Sequence, residues 1–246
     1  MPGTRQVPIA FQQRQRSFAE VEPILYEDGD SVTLQFRIGA IQSEMLDSDP
    51  DFLVLSYTRT MMAFMLFNSE PKRIAVIGLG GGSMTKWCYR QLPTADITAI
   101  EINPKVVALR DRFYLPVDND RFRVVCRDGA DYVAQTSESL EVLLVDGFDL
   151  YGQPPQLCAG QFYDNCYRAL APDGLLVVNL CGLEDGRLIE RIRRSFDDRA
   201  LVIMPEDGEN KIVFAIKGDR LWTRDEPISE LVDRLRSWYP PYLINA

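Results

Sequence analysis

The chain has 246 residues, 46% of them hydrophobic, which is enough for one full α/β domain with a small appendage and a substantial core. Its 36 acidic against 27 basic residues leave a formal charge of -9, which aids solubility, repels phosphate backbones and anionic membranes and favours cationic ligands, so no nucleic acid partner is expected. Histidine is absent, which removes the usual general base, the Ser-His and Cys-His nucleophile pairs and most zinc sites; proton transfer falls to carboxylates, Tyr, Lys or Cys, and no metal is expected.

Residues 1–20 are rich in Gln and Arg without periodicity and read as a loose arm. Met1 to Arg16 hold no apolar signal region, and no apolar run nears the length of a bilayer span, so neither secretion nor a membrane partner is expected. Pro23 to Tyr26 and Val32 to Ile38 flank Glu27-Asp28-Gly29-Asp30, an Asp-Gly signal for a hairpin that opens the fold as a small antiparallel β domain over 1–50. Between Asp51 and Phe67 the apolar residues recur at helical spacing and predict a mostly buried helix, its methionines filling core. From Arg73 onwards apolar runs alternate with amphipathic segments, the pattern of a doubly wound, mostly parallel seven-stranded sheet in a Rossmann-like nucleoside-binding catalytic domain over 51–246. The strands are predicted at 73–78, 97–102, 122–127, 141–146, 175–181, 200–204 and 211–217. Helices are predicted at 84–92, 104–113, 129–135, 159–170, 185–197 and 227–238, with Pro104 in a first turn and Asp173-Gly174 as an exit turn. Glu206 to Asn210 separate the last two strands, which read as an antiparallel hairpin. Cys88, Cys126, Cys158, Cys166 and Cys181 are odd in number and widely spaced, and they read as buried thiols of a reducing cytoplasm.

The chemistry concentrates where predicted strands end. Ile77-Gly78-Leu79-Gly80-Gly81-Gly82 joins a strand to a helix without side chains, so backbone can approach a ligand and the helix N-terminus can face a polar group. Glu101 ends the second strand, where a carboxylate accepts both ribose hydroxyls and disfavours a 2′-phosphate. Asp128 ends the third strand and can accept from an adenine amino group, whereas Asp131 serves the start of the next helix. Asp146 and Asp149 follow the fourth strand and enter the same crevice, where two carboxylates can hold an ammonium group and accept its proton. The alternative is that Asp149 caps a loop turn and Asp146 bonds backbone.

These signals, with Asp146-Gly147-Phe148-Asp149, Gly152, Pro155, Leu157, Tyr163 and Asp173-Gly174-Leu175, resemble the spermidine synthase family from about Val32 to Ile216. The resemblance implies a class I methyltransferase fold behind a small β domain, and a homodimer. It also implies aminopropyl transfer from decarboxylated S-adenosylmethionine to a small-molecule amine, with the glycine loop on the nucleoside. Glu101 would hold ribose, Ile102 would lie against adenine, and Asp128 beside Gly129 would take the adenine amino group. Asp146 would be the base and Asp149 would stand near the attacking nitrogen, while Gln42 and Tyr57 would lie by the cofactor tail or amine. Several positions depart from the family. Gly81 replaces an acidic residue that grips the propylamine end, Val54, Leu55 and Arg59 replace acids around Tyr57, Glu70-Pro71 stands for His-Pro, and Glu206 stands where the family has a tyrosine lining the amine channel. The altered amine half leaves two alternatives: a methyltransferase using S-adenosylmethionine itself, and a nucleoside-binding protein without turnover.

Overall fold

The computed structural model describes residues 18–182, 185–205, 208–219 and 228–238. Of the expected arm over 1–20, residues 1–17 lie outside them, as does Glu206, whereas Phe18 is packed rather than loose. Asn103 donates its side-chain amide to the carbonyls of Phe18 and Val21, and the Phe18 ring meets Phe36 edge-on at 4.9 Å.

The predicted hairpin is present as β1 (Ile24–Asp28) and β2 (Ser31–Arg37), with Gly29 left-handed at φ 60° in the turn. A third strand, β3 (Ala40–Leu46), adds to β2 antiparallel, so the unit is a three-stranded meander. Gln42, Ser43 and Glu44 interrupt the apolar pattern of β3, and pairing with β2 supplies the order that its own sequence does not announce.

The expected helix over 51–67 begins later, as α1 (Ser56–Met62), and tightens into a 3₁₀ turn over Ala63–Leu66. Arg59 Nη1 donates to the carbonyls of Leu53 and Val54 at 2.6 and 2.7 Å, so the preceding residues keep their turn and need no helical partners.

The large sheet contains β4 (Arg73–Ile77), β5 (Asp96–Glu101), β6 (Phe122–Cys126), β7 (Leu140–Val145), β8 (Leu170–Leu180), β9 (Ala200–Ile203) and β10 (Lys211–Ile216). Its order is β6-β5-β4-β7-β8-β10-β9, parallel from β6 to β8 and antiparallel where β10 meets β8 and β9. The chain winds outward from β4 in one direction and then returns to wind in the other. This reversal opens a crevice beyond the carboxyl ends of β4, β5 and β7.

The connecting helices are α2 (Ser83–Gln91), α3 (Pro104–Val107), α4 (Gly129–Gln135), α5 (Pro155–Cys158), α6 (Gly160–Ala169) and α7 (Asp185–Ser195), followed by α8 (Ile228–Ser237). Two predicted elements differ in extent. α3 stops at Val107 rather than 113, and the chain turns instead; the Arg110 guanidinium binds the Pro116 carbonyl and Asp118, holding that loop. β8 starts at Leu170, because Asp173 (φ 60°) and Gly174 form an irregularity within the strand rather than a loop before it.

Both faces of the sheet are covered by apolar side chains, with Trp87, Phe113, Met61 and Phe214 on the face toward α1, α2 and the small sheet, and Phe162, Tyr163, Ile192 and Phe196 on the other. Each such burial contributes about 1.5–3 kcal/mol. All five cysteines are free thiols; Cys88 and Cys166 are buried as expected, but Cys126 and Cys181 are exposed because each lies at the open end of a strand.

Candidate functional site

The close approach of β4 to the end of β7 forms the floor of the site. Gly78 sits at φ 92°, and a Cβ there would stand 2.1 Å from the Asp146 carbonyl oxygen, so glycine is required. The N–H of Gly78 donates to Ile100 and that of Asp146 to Ile77, both at 2.8 Å, which locks the three strand ends together.

Around this floor lies a cavity of about 560 Å³, within the range that holds small ligands. Gln42, Tyr57, Gly78, Gly80, Glu101, Ile102, Asp128, Gly129, Asp146 and Asp149 all line it, although they come from six separate stretches of chain. Gly81 and Gly82 do not. A Cβ on Gly81 would lie 2.7 Å from Ser43 Oγ and 2.8 Å from the Phe113 ring, and one on Gly82 would lie 2.6 Å from Leu115. Both glycines face packed side chains instead of the cavity.

Glu101 is 7% exposed and ties the glycine loop to the end of β5. Its Oε2 accepts from Leu79 N–H at 3.0 Å and its Oε1 from Asn103 N–H at 2.9 Å. Burial raises its pKa, and these backbone donors oppose the rise. Asp128 caps α4, accepting from Ala130 N–H at 2.7 Å, and its other oxygen accepts from Gln156 Nε2 at 3.3 Å. Burial raises its pKa too. Asp131 is exposed in the first turn of α4.

Asp146 holds the far end of the cavity. Its Oδ2 accepts from the Tyr57 hydroxyl at 3.1 Å, and its Oδ1 accepts from Asn179 Nδ2 at 2.8 Å. Burial pushes the Asp146 carboxyl up to about 6 against these two donors, and burial beside that carboxylate holds the Tyr57 phenol well above its ordinary value. A carboxylate in this state is anionic at neutral pH and close enough to neutrality to take and return a proton. Asp149 is 5% exposed; its Oδ1 accepts from Tyr151 N–H at 2.7 Å, closing the Asp149–Gly152 turn at the cavity wall.

Residues 54–218 match the spermine/spermidine synthase domain. A polyamine aminopropyltransferase of Chromobacterium violaceum is 38% identical over 231 residues, covering 92% of this chain and 88% of the relative. The chain belongs to the spermine/spermidine synthase family. Its fold is also that of a probable spermidine synthase from Corynebacterium glutamicum (TM-score 0.71, 20% identity, 87% of this chain and 82% of the other). The same fold recurs in human methyltransferase-like protein 13 in complex with SAH (TM-score 0.61, 22% identity, 77% of this chain and 98% of the other).

Within this member of the family, three site residues lie outside what the sequence motifs signal. Asn179 is a polar residue in the otherwise apolar run Leu175 to Leu180, a signal that was readable; Gln156 and Asn210 reach the site only through tertiary packing. Gln156 Oε1 is buried without a hydrogen-bond partner among the described residues. An unused acceptor beside Asp128 fits a bound group that brings N–H donors, as an adenine amino group does. A side chain at position 81 would press on Ser43 Oγ and the Phe113 ring, which would have to shift to admit it.

Proposed function

We propose that this chain transfers an aminopropyl group from decarboxylated S-adenosylmethionine to a small amine, releasing 5′-methylthioadenosine. The observation that carries this reading is the buried Asp146 carboxylate, held by Tyr57 and Asn179 in the same cavity as Glu101. Glu101 and the backbone at Gly78 and Gly80 hold the ribose, Asp128 and Gln156 take the adenine amino group with Gly129 beneath, and Ile102 packs on the base. The bound sulfonium makes its neighbouring carbon electrophilic. Asp146 accepts the proton that the amine nitrogen loses as the C–N bond forms and the C–S bond breaks, while Gln42, Tyr57 and Asp149 align the nitrogen.

The charge of the cavity supports the decarboxylated donor. Glu101, Asp128, Asp146, Asp149 and Glu209 line it, and among the described residues the one lining cation is Arg127. A methionine carboxylate would enter that field at a cost, whereas a propylammonium would be drawn in. Calorimetry with both sulfonium compounds tests the choice: tighter binding of the decarboxylated form is expected, and clear preference for S-adenosylmethionine would overturn it in favour of methyl transfer. Aminopropyl turnover with putrescine is the accompanying assay.

Further parts of the reading concern the assembly and its setting. The free thiols support a reducing, cytoplasmic location. Ile24, Tyr26 and Ile41, exposed on the small sheet, support a homodimer, which sedimentation would test. Division of the chain near residue 50 into a β domain and a catalytic domain is consistent with the two separate sheets.

A further inference from the structure

Asp146 is gripped through a chain of amides that begins on a different strand. Asn179 is 2% exposed; its Nδ2 donates to Asp146 Oδ1, and its own Oδ1 accepts from Asn210 Nδ2, each at 2.8 Å. A side-chain amide can sit either way round, and reversed it would aim an oxygen at a carboxylate. The donor from Asn210 selects the orientation in which nitrogen faces Asp146.

The sheet topology places Asn210 there. β10 runs antiparallel to β8 with Lys211 opposite Leu180 and Ile212 opposite Asn179, so the residue entering β10 meets the carboxyl end of β8, where the cavity opens. A parallel strand would have delivered its far end instead. The antiparallel pair β9–β10 thus brings a polar side chain to the site that the preceding parallel strands do not supply.

We propose that Asn179 and Asn210 form a positioning relay that fixes the Asp146 carboxylate with both oxygens hydrogen-bonded and ready to receive the amine proton. This rests on the reading of Asp146 as the base. Tyr57 from α1 is the other donor to Asp146. Among the described residues, the remaining titratable groups around the cavity are Glu101 at the end of β5, Arg127 after β6, Asp128 at the start of α4, Asp149 in the loop after β7, Cys181 after β8 and Glu209 before β10. Asn179 and Tyr57 oppose the burial that raises Asp146. Loss of the Asn179 donor therefore moves the carboxyl further up.

The test is the pH dependence of kcat/KM for Asn179→Leu, Asn210→Leu and Asn210→Gln. The acid limb is expected to move up by about one pH unit in Asn179→Leu, where one unit corresponds to a tenfold change in proton affinity, and by less in Asn210→Leu. Asn210→Gln, which keeps a donor, should lie closer to wild type. Carbon-13 NMR of aspartate-labelled protein, with the signal assigned through Asp146→Asn, reads the same titration without turnover. A uniform loss of activity at every pH with an unmoved Asp146 titration would overturn the relay. Should wild type lack amine turnover, the function fails while the NMR titration still decides the relay. If Asn179→Leu does not fold, the Asn210 pair carries the comparison.

Discussion

Glu101 and Asp146 are carboxylates of the same cavity, and their partners separate them. Glu101 accepts from the backbone N–H groups of Leu79 and Asn103 and so shapes the loop it serves. Glu101→Gln turns an acceptor into a donor against one of those groups. A fall in nucleoside affinity and about 1–3 kcal/mol of lost stability are expected, by calorimetry and by thermal unfolding. Asp146 accepts from two side chains, Tyr57 and Asn179, and its backbone locks the strand ends independently. Asp146→Asn should therefore reduce turnover on the order of 100- to 10,000-fold with little change in nucleoside affinity; an undiminished rate would remove it as the base. Because the folded carboxyl stands near 6, above its unfolded value, the ionised form is disfavoured by folding. Stability relative to Asp146→Asn is fullest at low pH and is lost as pH rises through about 6, whereas activity rises over that interval. Gln156 offers a sharper probe of the nucleoside end, since its buried oxygen lacks a partner among the described residues.

At the scale of elements, the glycine loop and its helix are shaped by what packs behind them. Phe113, from the turns after α3, presses on Gly81, and Lys86 on α2 holds the Phe113 carbonyl at 2.8 Å with Met45 Sδ at 3.1 Å. Gly81→Asp should overpack this contact, costing about 1–3 kcal/mol in chemical denaturation, and Phe113→Ala in the same chain should relieve part of the loss. Full stability in the single variant would show that the loop has room. Lys86 is 1% exposed, and burial lowers its pKa to about 8. A lysine depressed in this way disfavours its charged form in the fold. Wild type should therefore gain stability relative to Lys86→Met as pH rises from about 8 toward 10, measured as the difference between their unfolding free energies. Thus one buried amine pins the wall that packs against Gly81.

For the whole molecule, a charge of -9 and a cavity rich in carboxylates act in the same direction on an amine. The kcat/KM for a diamine should fall as salt rises and the screening length drops below about 10 Å, an effect that stopped-flow or steady-state measurement would read. How much of this was legible depended on the range of each interaction. Ile74 to Ile77 and Val142 to Val145 are continuous apolar runs, so their strands were readable locally, as was the carboxylate closing the next strand at Glu101. β3 and the length of α3 were not, because pairing with β2 and the reach of Arg110 decide them. The sequence by itself determined the alternation of strands and helices, the glycine turn and the acids at strand ends, since apolar periodicity and backbone sterics act over a few neighbouring residues. Only the tertiary structure decided that Gly81 faces Phe113 instead of the cavity, and that Asn210 reaches Asn179 and through it Asp146. Those outcomes depend on which strand lies beside which and in which direction it runs, and no local spacing encodes that.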